Sequence, residues 1–139
     1  MVAELFPAQQ EAHQDIPEPA RRFLQQAFES LHAPDTAAVM AGSAVDAMLK
    51  HLGFTEGSLY SRIDQAVEQH KITLDMGGWA HEVRLGSNRP RHADEKSLHV
   101  TPEEAKQSVE FAEALGNFLF VLTARIKRGT TAAKEASTK

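Results

Sequence analysis

Apolar side chains recur every three or four positions along most of this chain, the spacing of amphipathic helices. No segment sustains the two-residue alternation of a half-buried strand. The first helix falls in "IPEPARRFLQQAFESLH", where Ala20, Leu24, Ala27, Phe28 and Leu31 share one side. Pro17 and Pro19 suit its start, because the missing amide donor is harmless there, and Pro34 ends it. The second, "TAAVMAGSAVDAMLKHL", carries Ala41, Val45, Met48 and Leu52 inward. Asp35 or Thr36 is placed to cap it, and Gly53 to follow it in left-handed geometry. Its run of Ala37, Ala38, Ala41, Gly42, Ser43 and Ala44 lets a neighbouring helix come close.

A third helix, "SLYSRIDQAVEQH", points Leu59, Ile63, Ala66 and Val67 inward. The fourth, "TLDMGGWAHEVRL", is weaker, since Gly77 and Gly78 each cost about 1 kcal/mol relative to alanine. Trp79 and Val83 are its expected anchors. Pro90 disfavours helical geometry at Arg89, so this helix is predicted to end near Leu85, with Gly86 as its left-handed cap. The sharpest start signal is "TPEEAK": Thr101 as N-cap, Pro102 at the first position and Glu104 closing a capping box. From there Ala105, Val109, Ala112, Leu115, Leu119, Leu122 and Ile126 predict one helix of about 25 residues, roughly 38 Å long. Phe111, Phe118 and Phe120 fall on more than one of its faces; core packing explains most of that, and two exposed faces suit a dimer seam.

These elements predict an all-α fold, an antiparallel bundle of about five helices spanning residues 17–128. Residues 1–16 show no sustained period and read as a loosely docked arm. Residues 129–139 are polar, with nothing to bury, and read as a disordered tail.

Charge narrows the function. The formal net charge is −4, so any anion binding must be local. Without cysteine, disulfides and thiolate metal sites are excluded. The N-terminal stretch lacks a basic region followed by an apolar run, and no apolar segment is long enough for a membrane span. A cytoplasmic protein that does not engage membranes is therefore expected. The seven histidines form no i, i+4 pair and no HExxH, so no metal site is expected. The absence of a phosphate-binding glycine loop gives no reason to expect a nucleotide cofactor.

One stretch concentrates chemistry. "RLGSNRPRH", Arg84 to His92, holds three arginines, an asparagine and a histidine with no acid among them. In the expected loop, Arg84, Asn88, Arg89, Arg91 and His92 are candidates to bind an anion, a nucleic-acid backbone or an acidic partner. Asp46 on the second helix is the candidate to orient a cation. Asp46, Asp94 or Glu95 can instead neutralise the arginines internally, which leaves a plain ion-pair network.

"TAAVMAGSAVDAMLKHLG", "SLYSRIDQAVEQ", "WAHEVRLGSNRPRH" and "VTPEEAKQSVEFAEALGNFLFVLTARI", in that order, resemble domain-of-unknown-function family 4145, one of the HEPN-like helical domains. Arg84, Asn88 and His92 match the family's Arg, Gly-Asn, His pattern; Ser87 stands in place of its glycine. Gly42 or Ser43 replaces an arginine of the second helix, while Asp46 keeps the acid. The resemblance implies a homodimer in a bacterial or phage setting, often beside nucleic-acid defence systems. Many HEPN-like relatives are metal-independent ribonucleases with an arginine four to six residues before a histidine. By that implication His92 moves the proton while Arg84 neutralises the phosphorane, with Asn88 beside them. Here seven residues separate Arg84 from His92 and two separate Arg89 from it. The expected function is thus a non-catalytic binding module working through Arg84 to His92. A ribonuclease and a structural subunit of a larger complex are the alternatives.

Overall fold

The computed structural model describes residues 10–92 and 99–137, with side chains described for 10–88 and 99–137. Among the described residues five helical courses follow one another and no strand occurs. Helix α1 (Ala20–Glu29) buries Ala20, Leu24, Ala27 and Phe28, the stripe its periodicity predicts. Helix α2 (Pro34–His51) is central: α1 and two later helices pack around it. Half of its residues are buried, and its alanines let those neighbours approach.

The expected cap of α2 is corrected. Pro34 is already its first residue, and Asp35 sits in the first turn with a different task. One Asp35 oxygen accepts the Val100 amide at 2.7 Å, and the other lies 2.6 Å from His99 Nδ1. These bonds tie the start of α2 to the approach of the last helix. Gly53 follows α2 with φ +102°, as expected for a residue that needs left-handed geometry.

Helix α3 (Leu59–Glu68) opens on Ser58, whose side chain accepts the Ser61 amide. Helix α4 (Leu74–His92) corrects the largest sequence expectation. It runs unbroken past Gly86 and Pro90, so residues 86–92 are helix and not an irregular connection. Pro90 lies in the final turn, where it removes only the bond to the Gly86 carbonyl. Burial of Ala80, Val83 and Ser87 holds the preceding turns in place. Gly77 is explained the same way: a Cβ there would stand 2.5 Å from Val67 Cγ2, so glycine lets α3 and α4 meet.

Helix α5 (Pro102–Gly116) begins with the full capping box of Thr101 and Glu104. It passes through a π-helical turn, Asn117–Val121, into α6 (Leu122–Ser137). The extra residue of that turn rotates everything after it about the axis. Leu122 and Ile126 consequently face solvent and leave the stripe that buries Val109, Ala112, Leu115 and Leu119. The expected disordered tail is likewise corrected, since α6 stays helical to Ser137 without one buried residue.

The N-terminal arm is more than loosely docked where it is described. Ile16 is fully buried, and Ala12 donates its amide to Gln25 of α1 at 2.8 Å. Gly116 makes room for it: a Cβ there would lie 2.8 Å from Ile16 Cδ1 and 3.1 Å from Met48 Cε. No helix among the described residues is long and apolar enough to cross a membrane.

Candidate functional site

The site begins with the close approach of two small residues. A Cβ on Gly42 of α2 would stand 2.5 Å from Ser87 Oγ of α4, so only glycine permits this crossing. One turn beyond Gly42 is Asp46, and on either side of Ser87 along α4 are Arg84 and Asn88. The crossing therefore delivers Asp46, Arg84 and Asn88 to one cleft, closed on its third side by Tyr60 and Arg62 of α3. Its volume is about 320 Å³.

Asp46 does orient a cation, but the cation belongs to α3. Arg62 Nε donates to Asp46 Oδ1 at 2.9 Å, its Nη2 donates to the same oxygen, and its Nη1 donates to the Gly57 carbonyl. Lys50 Nζ stands 3.1 Å from the other oxygen, Oδ2. The one acid of the cleft is thus neutralised from both sides. Arg62 is itself buried, and pairing with a carboxylate is what makes a buried guanidinium tolerable.

Arg84 is held differently. Its guanidinium carbon lies 5.1 Å from the centroid of the half-exposed Tyr60 ring, within cation–π range. Arg84 Nε donates to His81 Nδ1 at 3.4 Å, and His81 Nε2 lies 2.9 Å from Asp64 Oδ1. Since Nδ1 accepts, the hydrogen-bond network assigns the imidazole proton to Nε2, which donates it to Asp64. Among the described residues no carboxylate forms an ion pair with Arg84. Ser87 is nearly fully buried at the cleft wall.

Of the residues singled out in the sequence, the structure brings together Asp46, Arg84 and Asn88. Arg89, Arg91 and His92 occupy the last turn of α4, and their side chains lie outside the described residues, as do Asp94 and Glu95. The helix also sets a spacing: eight residues from Arg84 to His92 advance about 12 Å along its axis. Tyr60, Arg62 and Ser87 complete the cleft without having been singled out as site residues. A signal for Arg62 existed, because Leu59, Arg62, Ile63 and Ala66 form an i, i+3, i+4, i+7 stripe, and a charge on such a stripe needs a buried partner.

In chemical terms the cleft offers a guanidinium, a side-chain amide and a hydroxyl around a small volume that carries net positive charge. That donor set accepts an anion. Among the described residues no three histidine, aspartate or glutamate side chains converge as a metal site would require. The sequence profile of the family described as "Domain of unknown function (DUF4145)" matches residues 24–133. No curated protein and no solved structure matches the chain.

Proposed function

Since the chain belongs to the DUF4145 family, whose description assigns no activity, we propose from its geometry that it is a non-catalytic binding module for anionic groups. The cleft between α2, α3 and α4 is the working surface. Arg84 meets the charge, Asn88 and Ser87 donate to remaining oxygens, and Arg62, fixed by Asp46, adds positive potential behind them. The observation that carries this reading is Arg84 itself, an arginine at a cleft mouth with no carboxylate among its described partners. An anion on a nucleic-acid backbone or on an acidic protein supplies the missing partner.

The non-catalytic reading is supported by the helical spacing. Arg84 and His92 stand eight residues apart on one helix, about 12 Å along its axis, and neither Arg84 nor Arg89 has the four-to-six-residue interval to His92 of the ribonuclease pattern. A dimer is part of the proposal. Phe118, Leu122 and Ile126 leave exposed apolar surface at i, i+4 and i+8 along the last helical course, a ridge of the kind that packs into the groove of a second helix.

The test is fluorescence anisotropy with a labelled single-stranded RNA and, separately, a labelled oligo-glutamate peptide, at low and at physiological salt. Arg84→Ala is expected to weaken binding of the true ligand class by about tenfold or more, the scale of one charge-assisted contact, and to flatten its salt dependence. Unchanged binding in that variant favours the purely structural alternative. Metal-free cleavage of the RNA, abolished by His92→Ala, replaces the proposal with the ribonuclease.

A further inference from the structure

The anion cleft has a titratable group behind its principal cation. His81 stands three residues before Arg84 on α4, so the two side chains share one face of the helix. As a neutral imidazole, His81 uses both ring nitrogens: Nδ1 accepts from Arg84 Nε at 3.4 Å, and Nε2 faces Asp64 Oδ1 of α3 at 2.9 Å. Its ring also packs on Tyr60, with centroids 4.6 Å apart. Tyr60 therefore carries His81 and Arg84 together, since the Arg84 guanidinium carbon lies 5.1 Å from the same ring's centroid. The His81 side chain keeps 22% of its surface in solvent, so a proton reaches it without any opening of the fold.

The other charges around α4 are engaged elsewhere. On the cleft side, Asp46 of α2 is held by Arg62 of α3 and by Lys50 of α2. On the opposite side, Glu82 of α4 and Glu104 of α5 line a separate cleft. Among the described residues, Asp64 is the acid that forms an ion pair with His81, and no other does.

Protonation changes what can hold Arg84. The incoming proton goes to Nδ1, because Nε2 already carries one. Both nitrogens then donate: the bond to Asp64 becomes charge-assisted, and the bond from Arg84 is lost. Two cations are left side by side on one aromatic ring. The one carboxylate among the described residues lining the cleft, Asp46, is already taken.

We infer that His81 is a proton-linked positioning residue for Arg84, so that the cleft between α2, α3 and α4 binds anions more tightly as the solution becomes acidic. Neutral His81 engages Arg84 Nε from outside the cleft, since it is not among the cleft's lining residues. The imidazolium releases that donor and adds a positive charge, and an incoming anion answers both. Histidine suits the task because it changes charge between about pH 5 and pH 8. The linkage is reciprocal: proton and anion each strengthen the binding of the other by the same factor. The inference rests on the anion-binding reading of the cleft and adds its regulation.

The test follows the isotopically labelled full chain by NMR from about pH 8 to about pH 5.5, the range in which histidine changes charge. It is run first alone and then with sulfate, whose own charge is constant over that range. Alone, the His81 imidazole and Arg84 Nε–Hε signals are expected to move together. With sulfate, the Kd read from Arg84 and Asn88 is expected to fall about fivefold at the acidic end, the scale of one charge added beside a solvated site. His81→Gln removes the titrating ring, and its Kd values at the two ends are expected to agree. Asp64→Asn removes the carboxylate that holds the imidazolium, and a smaller acidic gain is expected. Sulfate that binds at Arg84 with one affinity at both ends, or a full acidic gain in His81→Gln, overturns this inference and leaves the anion cleft standing. So does an Arg84 signal indifferent to the titration of His81. Sulfate that perturbs neither Arg84 nor Asn88 at any pH overturns both.

Discussion

Gly42 and Gly78 are both helical glycines, and they ask opposite things of a methyl group. At Gly42 an added Cβ meets Ser87 at 2.5 Å, so Gly42→Ala must push α2 and α4 apart. It is expected to destabilise the fold by about 1–3 kcal/mol, the usual range for overpacking, as measured by urea denaturation. At Gly78 nothing lies within 4 Å, and Gly78→Ala is expected to stabilise by about 0.5–1 kcal/mol through helix propensity and a restricted unfolded chain. Equal effects of the two substitutions would contradict the close crossing on which the anion cleft rests. At this scale the sequence was partly readable. The small residues of α2 announced a close neighbour, and Asp46 stood out as an acid among alanines. That the neighbour touches Gly42 through Ser87, and that Asp46 is answered by Arg62, depends on contacts between distant segments which local spacing does not encode.

The helices differ in how much of their course is written locally. The start of α5 is fully local, because Thr101 and Glu104 bond to each other's amides within one turn. Thr101→Ala is accordingly expected to cost about 1 kcal/mol in thermal or urea unfolding, and a neutral result would contradict the cap. The end of α4 is not local. Gly86 and Pro90 are both stop signals, yet tertiary burial of Ala80, Val83 and Ser87 carries the helix beyond them. The π-helical turn after Gly116 is equally invisible, since the apolar residues keep their spacing while the backbone shifts its phase. The continuation of α4 matters for function. It places a cationic edge, with Arg84 and Asn88, toward α2 and α3, and an acidic aromatic edge, with Trp79 and Glu82, toward α5.

For the molecule as a whole, α6 poses the remaining structural question. None of its 16 residues is fully buried within the chain, and a helix of that length is marginal in water by itself. A second copy packed along Phe118, Leu122 and Ile126 would supply the missing contact. Light scattering is expected to give twice the chain mass of 15.3 kDa, and Leu122→Glu combined with Ile126→Glu to return the monomer with reduced helicity. A monomeric parent with intact helicity would contradict the seam. The wider proposal is of a chain with net charge −4 that concentrates uncompensated positive charge in one cleft. The most direct measurement follows the arginine Nε–Hε and asparagine side-chain resonances of the isotopically labelled protein as pyrophosphate is added. Saturable shifts of Arg84 and Asn88, with Arg62 moving less because Asp46 holds it, are the expected result. Resonances of Arg84 and Asn88 that stay fixed while pyrophosphate perturbs other sites, or perturbs none, would contradict it.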